Sequence, residues 1–185
     1  MANIILVTGG ARSGKSAYSE NLAKSFGGSK AYIATCPVMD AEMARRVEHH
    51  RQRRKNDGWT TIEEEINLSG AIRKAAEYDT ILVDCLTLWI NNLMYRAERA
   101  GEAVSEDRML EICAELKCAC MEHAGNIIFV TNEVGLGIVP DNAQARLFRD
   151  LSGRCSQEIA AFAAKVVLVA CGIPLTLKDE QNNLK

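Results

Sequence analysis

The sequence predicts an α/β fold in which a mostly parallel sheet is doubly wound with helices on both faces, and three observations lead there. Residues 4–7, 31–34, 80–83, 126–130 and 166–169 form short runs of near-continuous apolarity without clean alternation. Such runs fit strands buried on both faces, as a sheet covered on each side requires. Helical stretches at 40–54, 68–77, 86–99, 105–123 and 141–163 fall between the runs, and strands alternating with helices imply crossover connections between parallel strands. The third observation is G-x-x-x-x-G-K-S at Gly9, Gly10, Ala11, Arg12, Ser13, Gly14, Lys15 and Ser16, directly after the first run.

That junction is the most specific signal in the chain. Glycines let successive backbone N–H groups turn inward around α- and β-phosphates, Lys15 places a point charge on the β/γ-phosphates, and the Ser16 hydroxyl completes a Mg²⁺ shell. A helix opening at Lys15 adds the positive end of its dipole. The strand before the motif, and the helix after it carrying Ala17, Leu22, Ala23 and Phe26 and ended by Gly27-Gly28, supply the context that makes this a P-loop of the P-loop NTPase class.

The remaining elements complete the sheet. A segment at 59–62 reads as an edge strand, and residues 173–177, after Gly172, read as an antiparallel edge strand returning on the last parallel run. The helix near 141 follows Pro140, with Asp141 or Asn142 as its N-cap. Residues 178–185 form a polar tail.

Composition narrows the class. At 185 residues with 48% hydrophobic content, residues 1–185 fit one domain with a sizeable core. A formal charge of −2 speaks against a polyanion-binding surface, so nucleic acid is not the expected partner even though residues 45–55 are locally basic. With no apolar span of 18 residues and no leader pattern, no integral membrane segment is expected and the protein is assigned to the cytoplasm. Seven cysteines are scattered without a C-x-x-C pair, which favours reduced, buried thiols over zinc.

Three further features carry chemistry. Asp84 ends the run at 80–83 and so reaches the carboxyl edge of the sheet where the P-loop sits; it reads as the carboxylate that orients Mg²⁺, directly or through water, or as the N-cap of the helix starting near Leu86. His49-His50 is a histidine doublet in a basic stretch. Adjacent helical residues point about 100° apart, so the pair is no metal clip of the i, i+4 kind. The doublet is either part of a solvated basic face or contributes one imidazole nucleophile for an α-phosphate, with neighbouring guanidiniums stabilising charge on the transferring group. His123, before Gly125, reads as a helix C-terminal residue that meets the dipole. Residues 131–140, T-N-E-V-G-L-G-I-V-P, form a shaped loop on the active edge, suited to close approach of substrate or of a neighbouring subunit, or else a plain connection; Asn132 and Glu133 contact ligand or position the groups that do.

Taken together, V-T-G-G-A-R-S-G-K-S at 7–16, Y-I-A-T at 32–35, M-A-R-R-V-E-H-H at 43–50, T-N-E-V-G-x-G-I-V-P at 131–140 and R-x-F-R-D-x-x-G-R at 146–154 resemble the bifunctional adenosylcobinamide kinase / adenosylcobinamide-phosphate guanylyltransferase family over residues 3–178. The resemblance implies that a nucleoside triphosphate, ATP or GTP, phosphorylates adenosylcobinamide. GMP from GTP then passes through a guanylylated histidine to adenosylcobinamide phosphate in cobalamin assembly. It implies that Gly9 to Ser16 hold the triphosphate, that Ala34, Thr35 and Cys36 line the nucleotide site, and that His49 is the nucleophile. Arg51, Gln52, Arg53 and Arg54 would lie close to GTP, and Glu63 and Asp84 match two acidic nucleotide-site positions. Cys36 stands where serine is common, and Asp84 where glutamate also occurs. The resemblance further implies a homotrimer with the corrinoid site between subunits. A single-activity P-loop small-molecule kinase and a P-loop NTP-binding switch protein are the alternatives; a stable GMP adduct separates the first, corrinoid-dependent turnover the second.

Overall fold

A computed structural model describes residues 2–37 and 57–180. Its elements run β1 (Asn3–Gly9), α1 (Lys15–Ser25), β2 (Lys30–Ala34), β3 (Trp59–Glu63), α2 (Leu68–Lys74), β4 (Thr80–Asp84), α3 (Leu86–Arg99), α4 (Glu106–Glu122), β5 (Asn126–Asn132), α5 (Ala143–Phe162), β6 (Lys165–Ala170) and β7 (Ile173–Asp179). The helix expected at 40–54 lies outside the described residues.

The seven strands form one sheet in the order β3-β2-β4-β5-β1-β6-β7, with every neighbouring pair parallel except β6-β7. The expected mostly parallel α/β sheet with an antiparallel edge is therefore present. The segment at 59–62 is indeed an edge strand, and it pairs in parallel with β2. At the other edge β7 continues through Asp179, because Lys178 is fastened by bonds from its Nζ to Ala160 O at 3.1 Å and Ala161 O at 3.2 Å. Lys178 and Asp179 thus belong to the sheet rather than to the tail.

Apolar residues on the central strands divide between two faces, as the period of two along a strand dictates. Ile4, Leu6, Ile81, Val83, Ile127 and Phe129 face a core built with α2, α3, α4 and α5. Ile5, Val7, Leu82, Ile128 and Val130 face a smaller core that includes Ala23 of α1. Continuous apolarity in the sequence reflects this double burial. The buried positions of α1 are Lys15, Ser19, Glu20 and Ala23, whereas Ala17 and Phe26 are exposed. The helix is therefore rotated relative to the apolar face expected from Ala17 and Phe26, because the P-loop fixes its first residue.

Caps set the helix starts on the other face. Asn67, Ser105 and Asn142 accept bonds from the backbone N–H groups of Gly70, Arg108 and Ala145 at the starts of α2, α4 and α5. Each such cap contributes about 1 kcal/mol. Between the two candidates at the start of α5, Asn142 is the cap. The first of these helices is shorter than expected, ending at Lys74 rather than residue 77.

His123 corrects another expectation. It caps α4, but it is buried, and neither ring nitrogen has a hydrogen-bond partner among the described residues. Burial lowers its pKa, against a smaller opposing pull from Asp79. The neutral ring does not serve the dipole as a cation.

All seven cysteines are free; Cys118 and Cys171 are exposed, Cys36 is half-buried and the other four are buried. Burial pushes the Cys120 thiol up to about 12. Among the described residues no cluster of three or more His, Cys, Asp or Glu side chains is arranged to hold a metal ion, and no helix is long and apolar enough to cross a membrane.

Candidate active site

The loop between β1 and α1 reverses the chain through two left-handed residues, Arg12 at φ 57° and Gly14 at φ 94°. Non-glycine residues rarely adopt that conformation, so Arg12 is held there by the loop around it. Within the loop Ser13 N donates to Gly10 O at 3.2 Å. Ser13 O accepts from Gly172 N at 2.8 Å, and a Cβ on Gly14 would stand 3.2 Å from Gly172 Cα. The turn between β6 and β7 thus seats the P-loop from the far side, and the second motif glycine is required both by its φ and by this approach.

Helix α1 opens with neither a side-chain cap nor an acidic residue in its first turn. Its free N–H groups and dipole therefore face the loop without a competing protein anion, the electrostatic condition a phosphate satisfies. Lys15 is only 8% exposed, and its Nζ donates to Gly10 O at 3.3 Å across the loop. Ser16 is half-buried beside it, while Gly10, Ala11 and Arg12 form the exposed crest and Gly9 is buried at the end of β1. Ser13 Oγ is buried and has no hydrogen-bond partner among the described residues.

Strand register brings the acidic positions to the same edge. Glu63, Ala34 and Asp84 lie side by side across β3, β2 and β4, and Asp84 is level with Val130, which pairs with Val7. Two strand spacings, roughly 10 Å, separate Asp84 from β1. Asp84 Oδ2 accepts from the Tyr32 hydroxyl at 2.8 Å. Tyr32 is itself packed edge-on against Trp59, with ring centroids 6.1 Å apart. The helix-cap reading of Asp84 is corrected by this geometry: the N-cap of α3 is Cys85, without a side-chain cap bond, and the carboxylate turns instead toward β2.

Thr35 and Cys36 continue from β2. The Thr35 side chain is fully buried; its Oγ1 donates to Cys85 O and accepts from Cys85 N, both at 2.8 Å. It therefore ties the ends of β2 and β4 together, leaving Ala34 and Cys36 as the accessible parts of that segment. Burial raises the Cys36 pKa, with Asp84 and Glu65 adding to the effect, so its thiol stays protonated and acts as a polar surface rather than a nucleophile. Burial, then Asp84, also raises that of Cys85, against smaller opposing effects of its hydrogen bonds with Thr87 and Leu88 and, least, of Lys15.

Residues 131–140 sit beside the P-loop as expected. Glu133 N donates to Gly9 O at 3.0 Å, and Glu133 Oε1 accepts from Gly135 N at 2.5 Å. Asn132 Nδ2 donates to Thr87 Oγ1 at 2.9 Å. These bonds tie the end of β5 to the P-loop at Gly9 and to the start of α3 at Thr87. His49, Arg51, Gln52, Arg53 and Arg54 lie outside the described residues.

Two contributors were not singled out from sequence. Tyr32 reads there as one more apolar strand residue, although a phenol at the carboxyl half of a strand can reach across to the next one. Asn92 is the clearer omission: its Nδ2 donates to Thr35 O at 2.8 Å and Glu65 O at 3.2 Å. An amide among Trp89, Ile90, Leu93 and Met94 is the signal, since a buried polar group needs partners.

The donor set suits Mg²⁺, which keeps several waters and takes one or two protein ligands plus phosphate oxygens. The Ser16 hydroxyl and the Asp84 carboxylate, whose Oδ1 is not the atom engaged by Tyr32, are oxygen donors of the kind such a site takes.

Comparison with known proteins gives the same direction. The sequence model of a family described as cobinamide kinase / cobinamide phosphate guanyltransferase matches residues 5–177. The bifunctional adenosylcobalamin biosynthesis protein CobP of Pseudomonas aeruginosa is 40% identical over 176 residues, covering 95% of this chain and 97% of that one. The bifunctional adenosylcobalamin biosynthesis proteins CobU of Escherichia coli and Salmonella typhimurium are each 40% identical over 182 residues, covering 95% of this chain and 99% of theirs. Among solved structures, a prototypical ATPase from the type III secretion system of pathogenic bacteria aligns with a TM-score of 0.56 at 10% identity, over 90% of this chain and 50% of that chain. That likeness shows the fold alone. The family match begins in β1, ends in β7 and so spans every strand that positions the site: the chain belongs to the cobinamide kinase / cobinamide phosphate guanyltransferase family.

Proposed function

We propose that this chain is a bifunctional enzyme that phosphorylates adenosylcobinamide with a nucleoside triphosphate and then guanylylates the product from GTP. The observation that carries the reading is family membership over residues 5–177 on a sheet edge that gathers Lys15, Ser16, Ala34, Cys36, Glu63 and Asp84. In the first reaction the aminopropanol hydroxyl attacks the γ-phosphorus, the bond to the β-phosphate oxygen breaks, and the hydroxyl proton leaves to solvent. Backbone N–H groups from Gly9 to Ser16 and the α1 N-terminus hold the phosphates, and Lys15 offsets charge on the transferring group. Ser16 and Asp84 would hold Mg²⁺, whose contribution when bound is to neutralise phosphate charge.

In the second reaction a neutral imidazole nitrogen of His49 attacks the α-phosphorus of GTP and pyrophosphate departs. A phosphate oxygen of adenosylcobinamide phosphate then attacks the same phosphorus, displacing histidine and forming the P–O–P link. Arg51, Gln52, Arg53 and Arg54 stabilise the charge that moves. Glu63 and the Ala34-Thr35-Cys36 segment line the nucleotide, with the Thr35 hydroxyl committed to Cys85. As part of the same reading the enzyme is a homotrimer of a one-domain chain and works in the cytoplasm.

The test uses GTP labelled at either end. Label at the α-phosphate is expected to remain on the protein as an acid-labile, comparatively base-stable adduct, whereas γ-label transfers to adenosylcobinamide and leaves none on the protein. No adduct, together with corrinoid phosphorylation, would reduce the protein to a simple kinase; neither product would refute the reading.

A further inference from the structure

A groove runs along the outer face of α3, and no P-loop residue lines it. One end is a cavity of about 430 Å³ bounded by Pro37, Glu65, Ile66, Asn92 and the two guanidinium residues Arg96 and Arg99. The other is a cavity of about 550 Å³ bounded by Met94, Asn142, Gln144 and Phe148, between α3 and the start of α5. Asn91 and Tyr95 line both, so the cavities adjoin. Either alone is within the range for one small ligand. Side by side they suit a broad one.

The lining has a definite chemistry. Tyr95 is 54% exposed on the ridge between the cavities, and the Arg99 guanidinium stands 5.9 Å from its ring centroid. An exposed phenol with a cation beside it forms a platform for a flat conjugated ligand. Carboxamides surround it: Asn91 and Asn92 on α3, Asn142 and Gln144 at the head of α5. Gln144 Nε2 also donates to Glu98 Oε2 at 3.0 Å, which ties α5 to α3 across the second cavity. Arg96 and Arg99 place positive charge at the first cavity only. That cavity adjoins the nucleotide edge, because Asn92 bonds the backbone of both Thr35 and Glu65.

From this arrangement we propose that the α3 groove binds the corrinoid acceptor, its ring against Tyr95 and its phosphorylated arm toward Arg96 and Arg99. The proposal rests on the functional reading above and adds where the second substrate lies. A corrin is a wide, conjugated ring rimmed with carboxamide arms; Asn and Gln side chains both donate to and accept from such amides. Only the arm that receives phosphate gains negative charge, and the two guanidiniums line the cavity that adjoins Thr35 at the end of β2. Guanidinium forks match phosphate oxygens.

Equilibrium dialysis of the full chain with cobinamide and with cobinamide phosphate, followed by corrin absorbance, tests this directly. The readout is corrinoid affinity relative to GTP affinity on the same protein. Tyr95→Ala and the groove-filling Asn91→Trp are each expected to lower that ratio about tenfold or more, the scale of a lost aromatic platform. The double variant Arg96→Ala/Arg99→Ala is expected to weaken the phosphorylated ligand at least fivefold more than the unphosphorylated one. A ratio within twofold of wild type in both Tyr95→Ala and Asn91→Trp overturns the site, and equal losses for the two corrinoids in the arginine variant overturn its orientation. Failure of the wild-type protein to bind either corrinoid would instead sink the functional reading.

Discussion

Thr35 and Cys85 exchange a reciprocal pair of hydrogen bonds, hydroxyl to carbonyl and amide to hydroxyl, each 2.8 Å long and fully enclosed. The pair sits next to Asp84 and fixes the distance between the ends of β2 and β4. Thr35→Val keeps the shape but strands the Cys85 N–H, while Cys85 O keeps its bond from Trp89 N, and an unsatisfied buried group costs about 1–3 kcal/mol. Denaturant unfolding is expected to show a loss of that order, with Thr35→Ser close to wild type. Equal stability of the valine and serine variants would mean that the bonds contribute nothing.

Lys15→Ala removes the cation from the phosphate loop while leaving a helix-favouring residue at the first position of α1. Kinase turnover is expected to fall about 10²-fold or more, the range for losing one group that stabilises transition-state charge. Near-normal turnover would reject the loop as the phosphate site.

Asp84→Asn separates shape from charge, because the asparagine oxygen still accepts the bond from the Tyr32 hydroxyl. The Mg²⁺ concentration for half-maximal kinase rate is expected to rise, while the melting temperature stays close to wild type. Tyr32→Phe is expected to shift the Mg²⁺ requirement less, since it frees the carboxylate without removing it. An unchanged Mg²⁺ titration in Asp84→Asn would exclude a metal role.

His49→Ala is expected to abolish the GMP adduct and guanylyl transfer yet preserve most corrinoid phosphorylation, which requires no covalent histidine. His50→Ala provides the control. Loss of the adduct in His50→Ala alone would move the nucleophile by one residue.

His123 gives a pH prediction whose sign follows from burial. Its folded pKa lies below the ordinary histidine value, so the unfolded chain takes the proton more readily. Stability is then full above about pH 6.5 and declines as pH falls through that value. Replacing the ring by His123→Leu is expected to flatten this part of the stability profile measured by urea unfolding. A profile identical to wild type would show that the ring is not the group responsible.

How much of this was legible beforehand depends on the kind of signal. Doubly buried strands wrote themselves as apolar runs, and Gly14-Lys15-Ser16 marked the phosphate loop because few other residues can make that turn and charge placement. Asp84 was legible as an edge carboxylate, but its partner was not, since Tyr32 is separated from it by a crossover whose packing no local pattern encodes. Thr35 illustrates the reverse difficulty: its place at the carboxyl end of a strand was recognisable, while the inward turn of its hydroxyl depends on a backbone strand brought in from fifty residues away. The α3 groove was hidden for a third reason. Its walls come from two helices and a strand end, and each wall residue alone looks like ordinary helix surface.

The seat that Gly172 provides for Ser13 and Gly14 has a consequence for truncation. A chain cut just before residue 172 would carry every P-loop residue yet lack the turn against which they settle, so nucleotide affinity should fall although the motif itself is intact.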